Sequence, residues 1–188
     1  STLNPTLPIR RSELHIVQQI FSGLTYIDDS EQLQPDLAHS WEMLTPQHWR
    51  FYIRPSVRFH NGDLLTSQTV VDNLMALQQK KLFSHIADVS SPSHLIVDVK
   101  LSRDDYQLAL LLSESCAKIM LPQENRAEDY DLFPVGTGPY RVIQNDNKRL
   151  VLQAFDGYFG FRPLLDRIEV WVIDDLHSSM IFPSLSKP

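Results

Sequence analysis

The sequence predicts a mixed α/β protein of more than one lobe, on three observations. A helical period of apolar residues opens the chain, several period-2 stretches with helices between them follow, and a Gly/Pro-dense turn at residues 134–140 interrupts the texture. The order of elements lacks the regular strand–helix–strand rhythm of a doubly wound sheet. No internal repeat or low-complexity stretch is present.

Leu14, Val17, Ile20, Phe21 and Leu24 fall on one helical face behind Ser12, a candidate N-cap, with Gly23 near the end. A short strand over Thr25–Ile27 follows, then a turn from Pro35 into a strand around Trp41–Leu44. Trp49, Phe51 and Ile53 alternate with Arg50, Tyr52 and Arg54, which predicts a half-buried strand paired to its predecessor through the Thr45–His48 turn. The Asn61-Gly62 turn precedes Thr66, whose hydroxyl is placed to cap a helix burying Val70, Val71, Leu74 and Leu77. Leu95, Val97 and Val99 predict a strand, and Ser102 a capped segment running through Tyr106, Ala109, Leu110 and Leu112. Lys118–Leu121 reads as a short strand stopped by Pro122, and Gln123–Asp131 as a polar loop. Arg141–Gln144 and Arg149–Ala154 form a predicted hairpin around Asn145–Lys148, and Ile168–Ile173 is the last strand.

Composition narrows the function classes. The chain of 188 residues is 43% hydrophobic and 21% charged, ordinary for a soluble globular protein. Its 17 Lys and Arg against 23 Asp and Glu give a net charge of -6, which repels a polyanion, so this segment is not expected to bind nucleic acid. The longest strongly apolar run, Leu108–Leu112, is far short of the roughly 20 residues that span a bilayer. Residues 1–11 show no basic stretch followed by an apolar one, so no secretory leader is read there.

Catalytic and metal chemistry find no frame. Cys116 is the single cysteine and has one Lys in its neighbourhood, which predicts a packed thiol rather than a nucleophile. No two of His15, His39, His48, His60, His85, His94 and His177 are three or four apart, so no helix offers two ligands on one face, and no metal or other cofactor is implied. His60-Asn61-Gly62-Asp63 reads as a turn. Neither a GxSxG elbow nor an HExxH helix is present, and the chain is not expected to be an enzyme. Gly136 and Gly138 permit backbone conformations closed to residues with a Cβ, and Pro139 fixes its own φ; with no P-loop Lys-Ser/Thr beside them, the three residues predict a stiff hinge turn.

Four stretches in order carry a resemblance: QPDLAHSWE (34–42), FHNGDLLTSQTVV (59–71), PVGTGPY (134–140) and FDGYFGFRPLLDRIEVWVI (155–173). Together, with the intervals between them, they resemble the family-5 extracellular solute-binding proteins, the receptors for oligopeptides and nickel. The resemblance implies an α/β, periplasmic-binding-protein-like (type II) two-lobe fold, of which this is the N-terminal portion only, the third lobe missing. Lobe I is expected to comprise residues 1–25 plus 134–175, with lobe II, residues 25–133, inserted by two crossings. Residues 176–188 are expected to form a tail toward the missing lobe.

In that family the segment before the first helix lines the floor of an inter-lobe cleft, which places Ile9, Arg10 and Arg11 there. Guanidinium forks suit carboxylate or phosphate, and Ser12 with the free amides of the helix N-terminus adds to the attraction. Tyr140 and Trp171 are the candidate aromatic wall.

The segment PIRRSELHIVQQIFSGLT, with HWRFYIRP, SHIADV and LQAFDGYFG, is closer to the receptor-like C-terminal domain of the SgrR-type regulators of the sugar-phosphate stress response. Those are bacterial cytoplasmic transcription factors with a winged-helix DNA-binding domain. The expectation is a solute-sensing domain that meets DNA only through a domain outside this chain, its solute an anion, a sugar phosphate or a peptide. The alternative is a periplasmic binding protein delivering peptides to an ABC importer.

Overall fold

The computed structural model describes residues 3–6, 11–173 and 178–182. In chain order the elements are α1 (Arg11–Ile20), β1 (Thr25–Ile27), β2 (Leu33–Pro35), β3 (Ala38–Thr45), β4 (His48–Ile53), α2 (Ser67–Ala76), β5 (Ile86–Ser93), β6 (Ile96–Leu101), α3 (Leu108–Leu111), β7 (Tyr140–Asn145), β8 (Arg149–Ala154), β9 (Arg167–Ile173) and β10 (Ser178–Phe182), with four short 3-10 turns. Every strand pairing is antiparallel. The chain divides into two compact units, one of residues 1–21, 58–63 and 121–188, the other of residues 22–57 and 64–120.

In the unit of residues 22–57 and 64–120, the sheet runs β3-β4-β6-β5. Period-2 alternation along β4 sends Trp49, Phe51 and Ile53 inward, and the register sets Phe51 opposite Val97 and Trp49 opposite Val99. Helix α2 packs against β5 and β6 and buries Val70, Val71 and Leu74. The outer face of the same strands carries charge. Asp98 accepts Arg50 Nε at 2.8 Å and Nη2 at 2.9 Å, with His48 Nε2 at 2.9 Å, so its carboxyl is held below the usual range chiefly by the Arg50 bonds.

Thr66 is the N-cap of α2 as its position implied, its Oγ1 accepting from Thr69 N at 3.2 Å. Thr66→Ala should cost about 1 kcal/mol, read as a lower urea midpoint with an unchanged slope. An unchanged midpoint would show that the Thr66 cap does not stabilise this helix.

Three elements of this unit differ from the sequence reading. The helix expected from Ser102 through Leu112 is four residues long, because Asp105 holds the preceding chain in a turn. Its side chain binds His85 Nε2 at 2.8 Å and Gln107 N at 2.7 Å, and its carbonyl takes Trp49 Nε1 at 2.9 Å. Lys118–Leu121 is extended but joins no sheet. Within it, Met120 exchanges two bonds with the Asn73 amide, N to Oδ1 at 2.9 Å and O from Nδ2 at 3.0 Å, so a side chain does what a neighbouring strand would. Strand β5 was not anticipated in the Ser/Pro-rich segment that forms it. It pairs only with β6, and Pro92 lies in the irregularity between Ser90 and Ser93, where a missing N–H costs no ladder bond.

In the other unit, the sheet runs β10-β9-β8-β7, and α1 packs against β7. Val17, Ile20, Phe21, Tyr140, Leu150, Leu152 and Val170 are buried. Ser12 is not the residue before the helix: α1 begins at Arg11. Residues 178–182, expected in a tail, form an edge strand on β9. Residues 58–63 and 121–133, expected in the inserted lobe, group instead with α1 and β7, and the chain passes between units four times rather than twice. The bonds of His60 described below are the physical reason for the first of these segments.

Candidate solute-binding site

The PVGTGPY turn is held at both glycines. Gly138 N donates to Ile20 O at 2.9 Å, giving the last carbonyl of α1 a partner it lacks within the helix. His60 N donates to Gly136 O at 2.9 Å, His60 Nδ1 accepts from Gly136 N at 3.2 Å, and His60 Nε2 donates to Gly138 O at 3.0 Å. This fixes a neutral ring protonated on Nε2. Phe155 meets the ring edge-on at 4.9 Å. Burial pushes the imidazole down to about 4, against the partly restoring bond to Gly138.

The glycines are required for closeness rather than for an unusual φ. A Cβ on Gly136 would lie 2.2 Å from Ile20 O, and one on Gly138 2.6 Å from Gln19 O, whereas among the glycines only Gly62, at 92°, has a positive φ. The expectation that these positions need conformations closed to other residues is corrected accordingly. The turn also lies inside one unit, and the chain passes between units at 120/121 instead of here.

Tyr140 and Trp171, the two candidate wall residues, project from opposite faces of the same sheet. Tyr140 lies opposite Ala154 and shares a face with Leu152, Leu150 and Val170, while Trp171 lies opposite Arg149 on the other face. Tyr140 is buried, and its hydroxyl donates to Leu165 O at 2.7 Å; burial raises its pKa. Trp171 is 43% exposed, with the Arg149 guanidinium 5.6 Å from its ring centroid. Arg149 and Arg167 both reach Glu169, at 3.4 and 3.1 Å. Ile9 and Arg10 lie outside the described residues; Arg11 and Ser12 open α1, and their side chains are likewise outside the description.

A second polar cluster was missed. Asp36 is 8% exposed and Lys118 5% exposed. Asp36 Oδ2 accepts from Gly23 N at 3.3 Å, its carbonyl accepts Arg54 Nε at 2.5 Å, and the Lys118 stem passes 3.6 Å from where a Cβ on Gly23 would stand. Burial raises the Asp36 carboxyl to about 6 and lowers the Lys118 ammonium, each shift opposed by the other's charge. Desolvation outweighs attraction for both groups.

Among the described residues no group of three metal-binding side chains converges. Ser40 Oγ lies 3.1 Å from His39 Nδ1, but the two are sequence neighbours on an exposed strand, and among the described residues no third group is hydrogen-bonded to the ring.

The model for bacterial extracellular solute-binding proteins, family 5 Middle, matches residues 32–180. The chain belongs to this family. It is 46% identical, over 182 residues, to the HTH-type transcriptional regulator SgrR of Yersinia pestis (strain Pestoides F), covering 96% of this chain and 33% of that protein. Against the protein of the same name from Pectobacterium atrosepticum the identity is 47% over 175 residues, 92% of this chain and 32% of the relative. The chain thus spans about a third of the length of the curated relatives it matches.

Among solved structures, the binding protein MoaA from A. tumefacien R10, in complex with mannopinic acid, superposes with a TM-score of 0.80 at 28% identity, over 90% of this chain and 38% of that one. The oligopeptide-binding protein AppA from Bacillus subtilis, in complex with a nonapeptide, gives 0.81 at 23%, over 92% and 38%. The fold is therefore the α/β fold of the type II periplasmic binding proteins, present in part.

Within this family-5 chain, the hydrogen bonds of His60 to Gly136 and Gly138 join two of the four motifs that carried the resemblance, FHNGD and PVGTGPY. Local pattern shows only a turn at His60, because its partners lie 76 and 78 residues away. By local pattern Lys118 is one polar residue of an apolar strand. The signal available for it was a charge between Ala117 and Ile119, both buried.

Proposed function

We propose that this chain is the solute-sensing domain of a cytoplasmic bacterial transcriptional regulator, not an enzyme, and that DNA is contacted by another part of the intact protein. One observation carries the reading: identity of 46% to an HTH-type transcriptional regulator across 96% of the chain, against 28% and 23% to the binding proteins compared above. The net charge of -6 fits a segment that leaves DNA to a neighbour. Among the described residues no helix is long and apolar enough to cross a membrane.

The proposed contacts are Ile9, Arg10, Arg11 and Ser12 for the anionic group of a sugar phosphate or an acidic peptide, and Trp171 for an apolar part. The buried, hydrogen-bonded Tyr140 supports the sheet instead. Delivery of peptides to an ABC importer is the other reading, and compartment separates the two. Chromatin immunoprecipitation of the intact protein, tagged at its own locus, should enrich a few discrete promoters. Recovery of the protein in the osmotic-shock fraction, with no promoter enriched, overturns the regulator reading.

A further inference from the structure

Asn61 and Gly62 form the tip of the FHNGD turn, and both are exposed. The backbone closes this turn: Gly62 N donates to Phe59 O at 2.9 Å, Phe59 N donates to Asp63 O at 2.8 Å, and Gly62 takes a positive φ of 92°. Side chains close it a second time. Asn61 Oδ1 accepts from Asp63 N at 3.0 Å, Asn61 Nδ2 donates to Asp63 Oδ2 at 3.0 Å, and Arg58 Nη1 donates to Gly62 O at 2.7 Å.

An asparagine followed by glycine carries its own reaction. The backbone nitrogen of the second residue attacks the side-chain amide carbon of the first, and glycine, with no side chain, crowds that approach least. In this turn each reacting heteroatom is already engaged. The nucleophile, Gly62 N, is spent on Phe59 O, and both polar atoms of the Asn61 amide are held by Asp63. Bringing Asn61 Cγ over Gly62 N breaks these three bonds, so the reaction waits for the turn to open.

We propose that Asn61 is a site of spontaneous covalent modification, deamidation through a cyclic imide, which the closed turn withholds and the opened turn releases. The Gly62 nitrogen gives its proton to water and bonds to Asn61 Cγ, while Nδ2 takes up a proton and leaves as ammonia. Water then opens the imide at either carbonyl, and an aspartate or an isoaspartate remains. No oxidant or reductant is consumed.

Neither product fits the turn. An aspartate sets a carboxylate where Asn61 Nδ2 donates to the Asp63 carboxylate, so attraction becomes repulsion. An isoaspartate lengthens the backbone by a methylene between positions 61 and 62, inside a loop closed by the bonds from Phe59 to Gly62 and Asp63. The preceding residue is His60, whose N–H and ring hold Gly136 and Gly138. Modification during one opening therefore unlatches the PVGTGPY turn for good. All of these residues belong to the unit of residues 1–21, 58–63 and 121–188, and the inference is independent of the sensor reading.

The test follows Asn61 by peptide mass spectrometry of the intact protein at pH 7.5, folded and in urea. In urea Asn61 should convert faster than Asn147, an exposed asparagine followed by lysine. In the folded protein Asn61 should convert at least about tenfold more slowly than in urea, since opening breaks several hydrogen bonds. Protein held in urea until Asn61 has converted, then refolded, should show a lower urea midpoint and faster hydrogen exchange at the His60 and Gly136 amides than protein refolded at once. Asn61→Ala taken through the same incubation should keep its own midpoint, which separates this lesion from any other damage. No conversion of Asn61 in urea overturns the site, equal rates in folded and unfolded protein overturn the gating, and an unchanged midpoint after conversion overturns the unlatching.

Discussion

Gly136→Ala is expected to destabilise the unit of residues 1–21, 58–63 and 121–188 by about 3 kcal/mol or more. A methyl there would stand 2.2 Å from Ile20 O and 2.9 Å from Phe21 Cδ1, so either the end of α1 or the turn must move. Moving the turn also strains the His60 bonds, and the losses compound. Gly62→Ala is the contrasting case. Its φ of 92° is unfavourable for alanine, yet nothing lies within 4 Å of the new Cβ, and its cost should stay near about 1 kcal/mol. Urea unfolding of both variants checks the order; equal midpoints would show that close packing is not what selects glycine at 136.

Acid should release the same turn. His60 has a folded pKa of about 4 against an ordinary value of 6.5, so between those pH values the unfolded chain binds more protons than the folded one. The stabilisation from this neutral ring is complete above about pH 6.5 and is lost as pH falls toward 4, a loss of about 3 kcal/mol at most.

Asp36 runs the other way. Its folded pKa of about 6 lies above the ordinary 3.8, so its contribution is present at low pH and disappears as pH rises through 6. The two sit in different units, and a comparison of wild type with His60→Ala isolates the first. The variant should have a lower midpoint at pH 7.5, by about 2 kcal/mol from unpaired groups at Gly136 and Gly138, and the gap should close by pH 4.5. A gap that is the same at both pH values would show that the ring takes up its proton as readily in the folded chain as in the unfolded one.

What could be read from the sequence was what is local. The β3–β4 hairpin followed from alternation at Trp49, Phe51 and Ile53, the α2 cap from Thr66 before an apolar period, and the β7–β8 hairpin from the polar loop between two strands. Failures came where distant residues decided. Asp105 ends what local pattern would extend as helix, Asn73 substitutes for a strand beside Met120, and β6 recruits the Ser/Pro-rich β5 as its edge partner. The candidate contacts divide similarly. Trp171 is exposed as a binding aromatic would be, while Tyr140 is tied down by Leu165, a residue whose carbonyl leaves no sequence signal. The Asp36–Lys118 pair, 82 positions apart, was out of reach of any local pattern.

On the proposed sensor reading, the intact protein holds a small solute that this chain helps to recognise. Native mass spectrometry of the intact protein, purified from its own cells under sugar-phosphate stress, measures this directly. A mass excess of one small molecule, lost from an Arg10→Ala/Arg11→Ala variant that keeps its fold, is the predicted result. A bare mass under all growth conditions, with no shift on adding a metabolite extract, would contradict it.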